Sequence, residues 1–100
     1  MPYSHIFNIR AADEYENALL WYQQQSDTAG DRLIVEVEEK IKTICADPYR
    51  YRNTHKKLRE TSLKIFPYSI VFLVDEPNKV VVIISLFHHR RNPKKKYRIK

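Results

Sequence analysis

His88 and His89 stand directly before Arg90 and Arg91, and Tyr97 follows six residues later. Imidazole titrates near neutrality, so either histidine can give or take a proton. A guanidinium holds a phosphate through two parallel hydrogen bonds. Metal-free cleavage of a ribose phosphodiester needs a base for the 2′-hydroxyl, a cation for the phosphorane and an acid for the leaving oxygen. His88 or His89 with Arg90 and Arg91 can meet those needs. The same residues have a plainer reading. Neighbours on a strand alternate faces, so one of the two histidines points into the sheet. The cations beyond them then form a solvated terminus that orders on a partner.

Charge separates these residues from the rest of the chain. Arg90 to Lys100 reads RRNPKKKYRIK, with seven basic side chains, Lys94, Lys95 and Lys96 among them, and no acid. The chain has 18 Lys+Arg and 12 Asp+Glu, so residues 1–89 keep 11 bases against 12 acids and the net +6 lies at the end. Residues 1–47 hold nine acids and four bases; residues 48–64 hold six bases and Glu60 alone. Within that second stretch Arg50, Arg52, Arg59 and Lys64 are candidate contacts to a polyanion or an acidic protein. Tyr49 and Tyr51 are interleaved with Arg50 and Arg52, which suits base stacking or insertion into a partner as well as simple packing.

The elements that must position these residues follow from periodicity. Residues 3–9 alternate as a short strand. Ala11, Tyr15, Ala18 and Tyr22 recur at helical spacing over roughly 11–25, with Asp13 and Glu14 expected in the first turn, where the helix dipole favours acids. Tyr15, Trp21, Tyr22, Phe66, Tyr68 and Phe72 are expected in the core. Ser26 and Asp27 can cap a second helix with Leu33, Val37, Ile41 and Ile44 as its apolar stripe, and Asp47-Pro48 ends it. Leu58 to Val74 and Val80 to Phe87 read as strands around a turn at residues 75–78. In the last strand Val80, Val82, Ile84 and Leu86 are expected on one face, with Val81, Ile83 and Phe87 on the other. Such a strand is central in its sheet. The fold class is α+β: a helical hairpin on one face of a small antiparallel sheet, in the order β-α-α-β-β-β, as a single domain over residues 1–100.

The order Phe66-Pro67-Tyr68-Ser69-Ile70-Val71-Phe72, a turn, and a valine-rich strand ending in His88-His89-Arg90-Arg91-Asn92-Pro93 resembles the RelE/ParE superfamily of bacterial type II toxins. The opening strand, the helix bearing Asp13-Glu14-Tyr15 and Trp21-Tyr22, and the Leu58-Arg59 step are similar as well. The resemblance implies one of two activities. RelE-like members cut mRNA in the ribosomal A site without a metal; ParE-like members act on DNA gyrase. Tyr97 falls where the nuclease branch places a terminal tyrosine. That branch commonly has a catalytic arginine after the third-strand tyrosine, and here the residue is Ser69, with Arg59 or Lys64 as the possible substitutes. The ParE-like branch, associated with growth inhibition and plasmid stabilisation, is therefore favoured. The resemblance further implies a cognate antitoxin, acidic where it meets the cations, and contact with operator DNA only through that antitoxin. A homodimer is compatible with the sequence. The competing reading from another class is a non-toxic, basic nucleic-acid-binding module.

Composition narrows the remainder. A 43% hydrophobic, 30% charged chain is built to fold rather than stay disordered. One glycine excludes a glycine-rich phosphate loop. Cys45 alone excludes an internal disulfide and reads as an inert thiol of a reducing cytoplasm. Histidines at 5, 55, 88 and 89 lack metal-ligand spacing, so no metal and no cofactor is expected, and no apolar run is long enough for a membrane.

Overall fold

The computed structural model describes residues 2–90. Its elements are β1 (Ser4–Phe7), α1 (Ile9–Gln25), α2 (Asp27–Ala46), a 3-10 turn (Pro48–Arg50), β2 (Asn53–His55), β3 (Leu58–Ser62), β4 (Tyr68–Asp75) and β5 (Val80–His88). The five strands form one sheet in the order β1-β5-β4-β3-β2, so β5 is interior. The α+β architecture of a helical hairpin on a sheet is present. The sheet itself is mixed rather than antiparallel, because β1 runs parallel to β5, Ser4 facing Val80 and Phe7 facing Ile83. The two helices between β1 and the later strands form the crossover that lets β1 enter in this direction.

Local chemistry sets the helix ends. Asn8, not an acid, caps α1: its Oδ1 accepts the Ala11 N–H at 2.8 Å. The helix therefore starts two residues before the expected position, and Asp13 and Glu14 fall beyond its first turn. Ser26 serves both helices. Its N–H donates to the Tyr22 carbonyl at 3.0 Å, closing α1, and its Oγ accepts the Ala29 N–H at 3.0 Å, opening α2. The only glycine lies just past this corner. A Cβ at Gly30 would stand 2.5 Å from Gln23 Cγ, so the bare backbone permits the close approach of α1 and α2 there.

Ala11, Ala18, Leu33, Val37, Ile41 and Ile44 from the helices meet Ile70, Phe72, Val81, Ile83 and Leu86 from the sheet. Leu58, Val71 and Ile84 form a second apolar cluster with Leu73 and Val82. The expected alternation in β5 fails at one point: Leu86 shares a cluster with Val81 and Ile83 rather than with Val82 and Ile84. The cause is a bulge. Phe72 faces Ile83 while Val71 faces Ser85, so Ile84 is the extra residue and every position after it changes phase. Trp21 also departs from the expected core set. It is 55% exposed, because the core-facing place on that turn of α1 is taken by Tyr22, which packs edge-on against Phe66 at 4.8 Å.

Past Ile83, β1 no longer flanks β5, since the chain has turned through Asn8 into α1. The Asn8 N–H makes the last pairing, to the Ile83 carbonyl at 3.0 Å. Glu14 takes over beyond it. Its Oε1 accepts the Ser85 hydroxyl at 2.8 Å and the Leu86 N–H at 3.1 Å, while Oε2 pairs with Arg10 at 3.3 Å. A helix side chain thus completes the edge of the strand that leads to the histidines.

Candidate functional site

His88 closes β5 and lies opposite Tyr68 in the β4–β5 pairing. The two rings meet edge to face with centroids 5.0 Å apart. Its Nδ1 accepts the Arg90 N–H at 3.0 Å, so that nitrogen carries no proton and a neutral ring holds its proton on Nε2. His89 is exposed, and its N–H donates to the Pro67 carbonyl at 2.9 Å. Its Nε2 shares a 3.0 Å hydrogen bond with Ser69 Oγ, which lies 3.1 Å from Ser62 Oγ. The end of the sheet therefore carries a half-buried histidine against Tyr68, an exposed histidine joined to two serines, and the exposed Arg90.

Ser69 is 2% exposed and already bonded on both sides, so the place where a phosphorane-binding arginine would be needed is a buried serine anchoring His89. Arg59 does not stand in for it. It faces Phe72, three residues and roughly 10 Å along the strand from the Ser62–Ser69 pair. Its Nη1 donates to the Tyr51 carbonyl at 2.6 Å and its guanidinium lies 5.1 Å from the Tyr49 ring centre. Lys64 is nearer. It sits in the β3–β4 turn, where Glu36 of α2 accepts the backbone N–H groups of Lys64 at 2.7 Å, Ile65 at 3.1 Å and Phe66 at 3.2 Å. Among the described residues, then, His88, His89, Arg90 and Lys64 belong to one end of the molecule. Arg50, Arg52 and Arg59 belong to the β2–β3 region. Arg91, Lys94, Lys95, Lys96 and Tyr97 lie outside the described residues. No three potential metal ligands converge among the described residues, and burial raises the pKa of the Cys45 thiol. Among the described residues no helix is long and apolar enough to cross a membrane.

The tyrosines of the basic connection are occupied. The Tyr51 ring is half-buried, edge-on to Phe72 at 6.0 Å. The Tyr49 hydroxyl donates to Glu76 Oε1 at 2.6 Å, and Tyr3 donates to the same oxygen at 2.7 Å. Lys79 pairs with the other oxygen of Glu76. This cluster ties the start of β1 and the 3-10 turn to the β4–β5 turn, and no sequence pattern announces it. Lys79, then the hydroxyls of Tyr49 and Tyr3, hold the Glu76 carboxyl down to about 2; hydrogen bonding to Glu76 pushes Tyr49 up to about 12. In an unfolded chain Glu76 protonates near its ordinary 4.5. The cluster's contribution to stability is thus complete above that value and lost as pH falls toward about 2. The melting-temperature advantage of the parent protein over Glu76→Gln is expected to shrink across that acid interval. An advantage that stays constant there would show that the carboxylate is not held in this way.

A family model described as the ParE toxin of the type II toxin–antitoxin system parDE matches residues 6–93. Among solved structures, the chromosomal ParDE toxin–antitoxin system from P. aeruginosa is similar with a TM-score of 0.71 at 16% identity, covering 86% of this chain and 95% of that one. The toxin–antitoxin complex RelBE2 from Mycobacterium tuberculosis gives 0.62 at 16% identity, over 88% and 99% of the respective chains. A mutant of the E. coli toxin RelE in the free state gives 0.61 at 18%, over 90% and 86%. At such identities the structures show a shared fold. A search of curated proteins finds no match.

Proposed function

Since the chain belongs to the ParE toxin family of type II toxin–antitoxin systems, we propose that it is a cytoplasmic growth inhibitor that acts by protein contact on DNA gyrase and is neutralised by a cognate antitoxin. The observation that carries the choice of target is Ser69. A phosphodiesterase built on this sheet needs a cation beside His88 and His89 to stabilise the phosphorane. The in-sheet position beside the histidines is the buried hydroxyl of Ser69, and Arg59 is committed to the Tyr51 carbonyl and the Tyr49 ring. The cations that remain at this end among the described residues, Lys64 and Arg90, lie in the β3–β4 turn and past the end of β5 rather than on the sheet. The exposed His89 and Arg90 are then contact groups on the target rather than parts of a cleavage apparatus. The antitoxin is acidic where it meets the cations, so its association slows as salt rises.

The ribosome-dependent nuclease is the second reading, supported by two histidines and Arg90 at one sheet end. One pair of assays separates the two. Purified toxin is expected to inhibit gyrase supercoiling and to leave ribosome-bound mRNA intact. Cleavage of that mRNA, abolished by His88→Ala together with Arg90→Ala, would overturn the gyrase reading.

A further inference from the structure

Four cations of the basic connection form no ion pair among the described residues. Arg50, Arg52, Lys56 and Lys57 are all exposed, and neither the Arg10–Glu14 nor the Glu76–Lys79 pair of the described residues involves them. Asp47 stands exposed ahead of Arg50 with its side chain outside the cap of the 3-10 turn, and the three other nearby acids are turned elsewhere. Glu60 is 6% exposed, Glu76 holds Lys79 and two tyrosines, and Asp75 accepts from the backbone and side chain of Asn78. The cations share one short hairpin. Lys56, at φ 51°, and Lys57 form its tip, where Asn53 Nδ2 donates to the Lys56 carbonyl; Arg50 and Arg52 lead into its first strand.

This hairpin is remote from the histidines. Leu58 and Arg59 begin β3 beside the tip, and β3 ends at Ser62 beside Ser69. Five residues from Lys57 to Ser62 span roughly 17 Å. Lysines on an edge strand do discourage unwanted strand pairing, but that purpose does not call for two arginines ahead of the strand.

We infer that the β2–β3 hairpin grips the phosphodiester backbone of a nucleic acid, through Arg50, Arg52, Lys56 and Lys57, at a surface separate from the histidine end. A backbone of phosphates fits better than an acidic protein segment. Stable protein interfaces need an apolar centre, and between Arg50 and Lys57 no large apolar side chain is exposed, Tyr51 being turned onto Phe72. Spaced cations alone suffice for phosphates, because each contact releases a condensed counterion. Tyr51 is packed inward, and Tyr49, though 49% exposed, is held by Arg59 over its ring, by the edge of Tyr3 and by Glu76 at its hydroxyl. The cations rather than stacked bases therefore carry the grip, and it is indifferent to sequence. The inference goes beyond the proposed target: it assigns a nucleic-acid contact to the toxin itself.

The test is fluorescence anisotropy of antitoxin-free toxin with labelled duplex DNA and labelled single-stranded RNA over a salt series. Arg50, Arg52, Lys56 and Lys57 are changed to Gln, in the parent and in a background with Lys94, Lys95 and Lys96 changed to Gln. Each lost phosphate contact lowers the slope of log K against log salt by about 0.9 on duplex and about 0.7 on single strands. The fourfold variant is expected to lose a slope of about 3 to 4 on duplex in both backgrounds. Lys56→Gln with Lys57→Gln, which leaves the start of the hairpin intact, is expected to lose about half of that. Loss on both nucleic acids assigns the shared backbone, and loss on one alone names the source. An unchanged slope overturns the inference. So does an unchanged slope accompanied by lost binding to poly-glutamate, which would make the hairpin a protein contact.

Discussion

Glu14→Ala is expected to lower the unfolding free energy by about 3 kcal/mol. The carboxylate is the acceptor for the Ser85 hydroxyl and the Leu86 N–H, on a strand where Ser85 is fully buried and Leu86 2% exposed. Removing it leaves two donors unpaired where water has little access, at roughly 1–3 kcal/mol each. Helix propensity acts in the opposite direction, since alanine is the better helix former. A loss would therefore report the strand contact and not α1 itself. Glu14→Gln keeps a carbonyl oxygen at the same reach and is expected to cost about 1 kcal/mol. Urea unfolding of the three proteins checks the ordering. An alanine variant as stable as the parent would mean that the Leu86 edge needs no partner. A domain of this size has about 5–15 kcal/mol in total, so the expected loss is a large share of it.

Glu36→Ala is expected to open the β3–β4 turn locally. The Glu36 carboxylate receives three consecutive N–H groups, from Lys64, Ile65 and Phe66. Leu63 and Phe66 anchor the two ends of the turn in the core, while Ile65 between them is 71% exposed, so the carboxylate is what holds the exposed middle of the turn. Charge-assisted bonds at a partly wet site justify about 2 kcal/mol, which corresponds to roughly thirtyfold faster amide exchange at those positions. The effect should reach the candidate site, because Pro67 follows this turn and its carbonyl holds the His89 N–H. On the gyrase reading, Glu36→Ala weakens inhibition while leaving the core strands protected. Hydrogen exchange resolved by residue decides the matter: uniform acceleration over the whole chain would point to global destabilisation instead.

Both carboxylates are helix residues that satisfy the sheet, and neither is recognisable as such in the sequence. Glu14 looks like an ordinary solvent-facing acid of an amphipathic helix, and Glu36 looks like the polar side of the Leu33–Val37–Ile41 stripe. Ser85 lies 71 residues from Glu14, and Lys64 lies 28 residues from Glu36. No local pattern carries that information. The same holds for Tyr3, Tyr49 and Glu76, which meet only when β1, the 3-10 turn and the β4–β5 turn are assembled.

What the sequence determined by itself was whatever depends on near neighbours. Hydrophobic periodicity and the Ser26 and Pro48 boundaries specify the helical hairpin, and the valine-rich run specifies an interior strand, because caps, proline sterics and side-chain period act within a few residues. The order of these elements with the Phe66–Phe72 and His88–Pro93 blocks was enough for the family. Tertiary structure decided the parallel entry of β1, the bulge at Ile84 and the positions of the cations. Pairing direction depends on a crossover through both helices, and one inserted residue changes the phase of everything after it. Those two facts place His88 against Tyr68 and His89 on Ser69. The basic stretch, uniform as a string, divides into Arg59, which is spent on the Tyr51 carbonyl, Lys64 at the histidine end, and four exposed cations at the β2–β3 hairpin, of which Arg50 also lies over the Tyr51 ring. The difference arises because a charge becomes structural or available only through what the fold brings beside it.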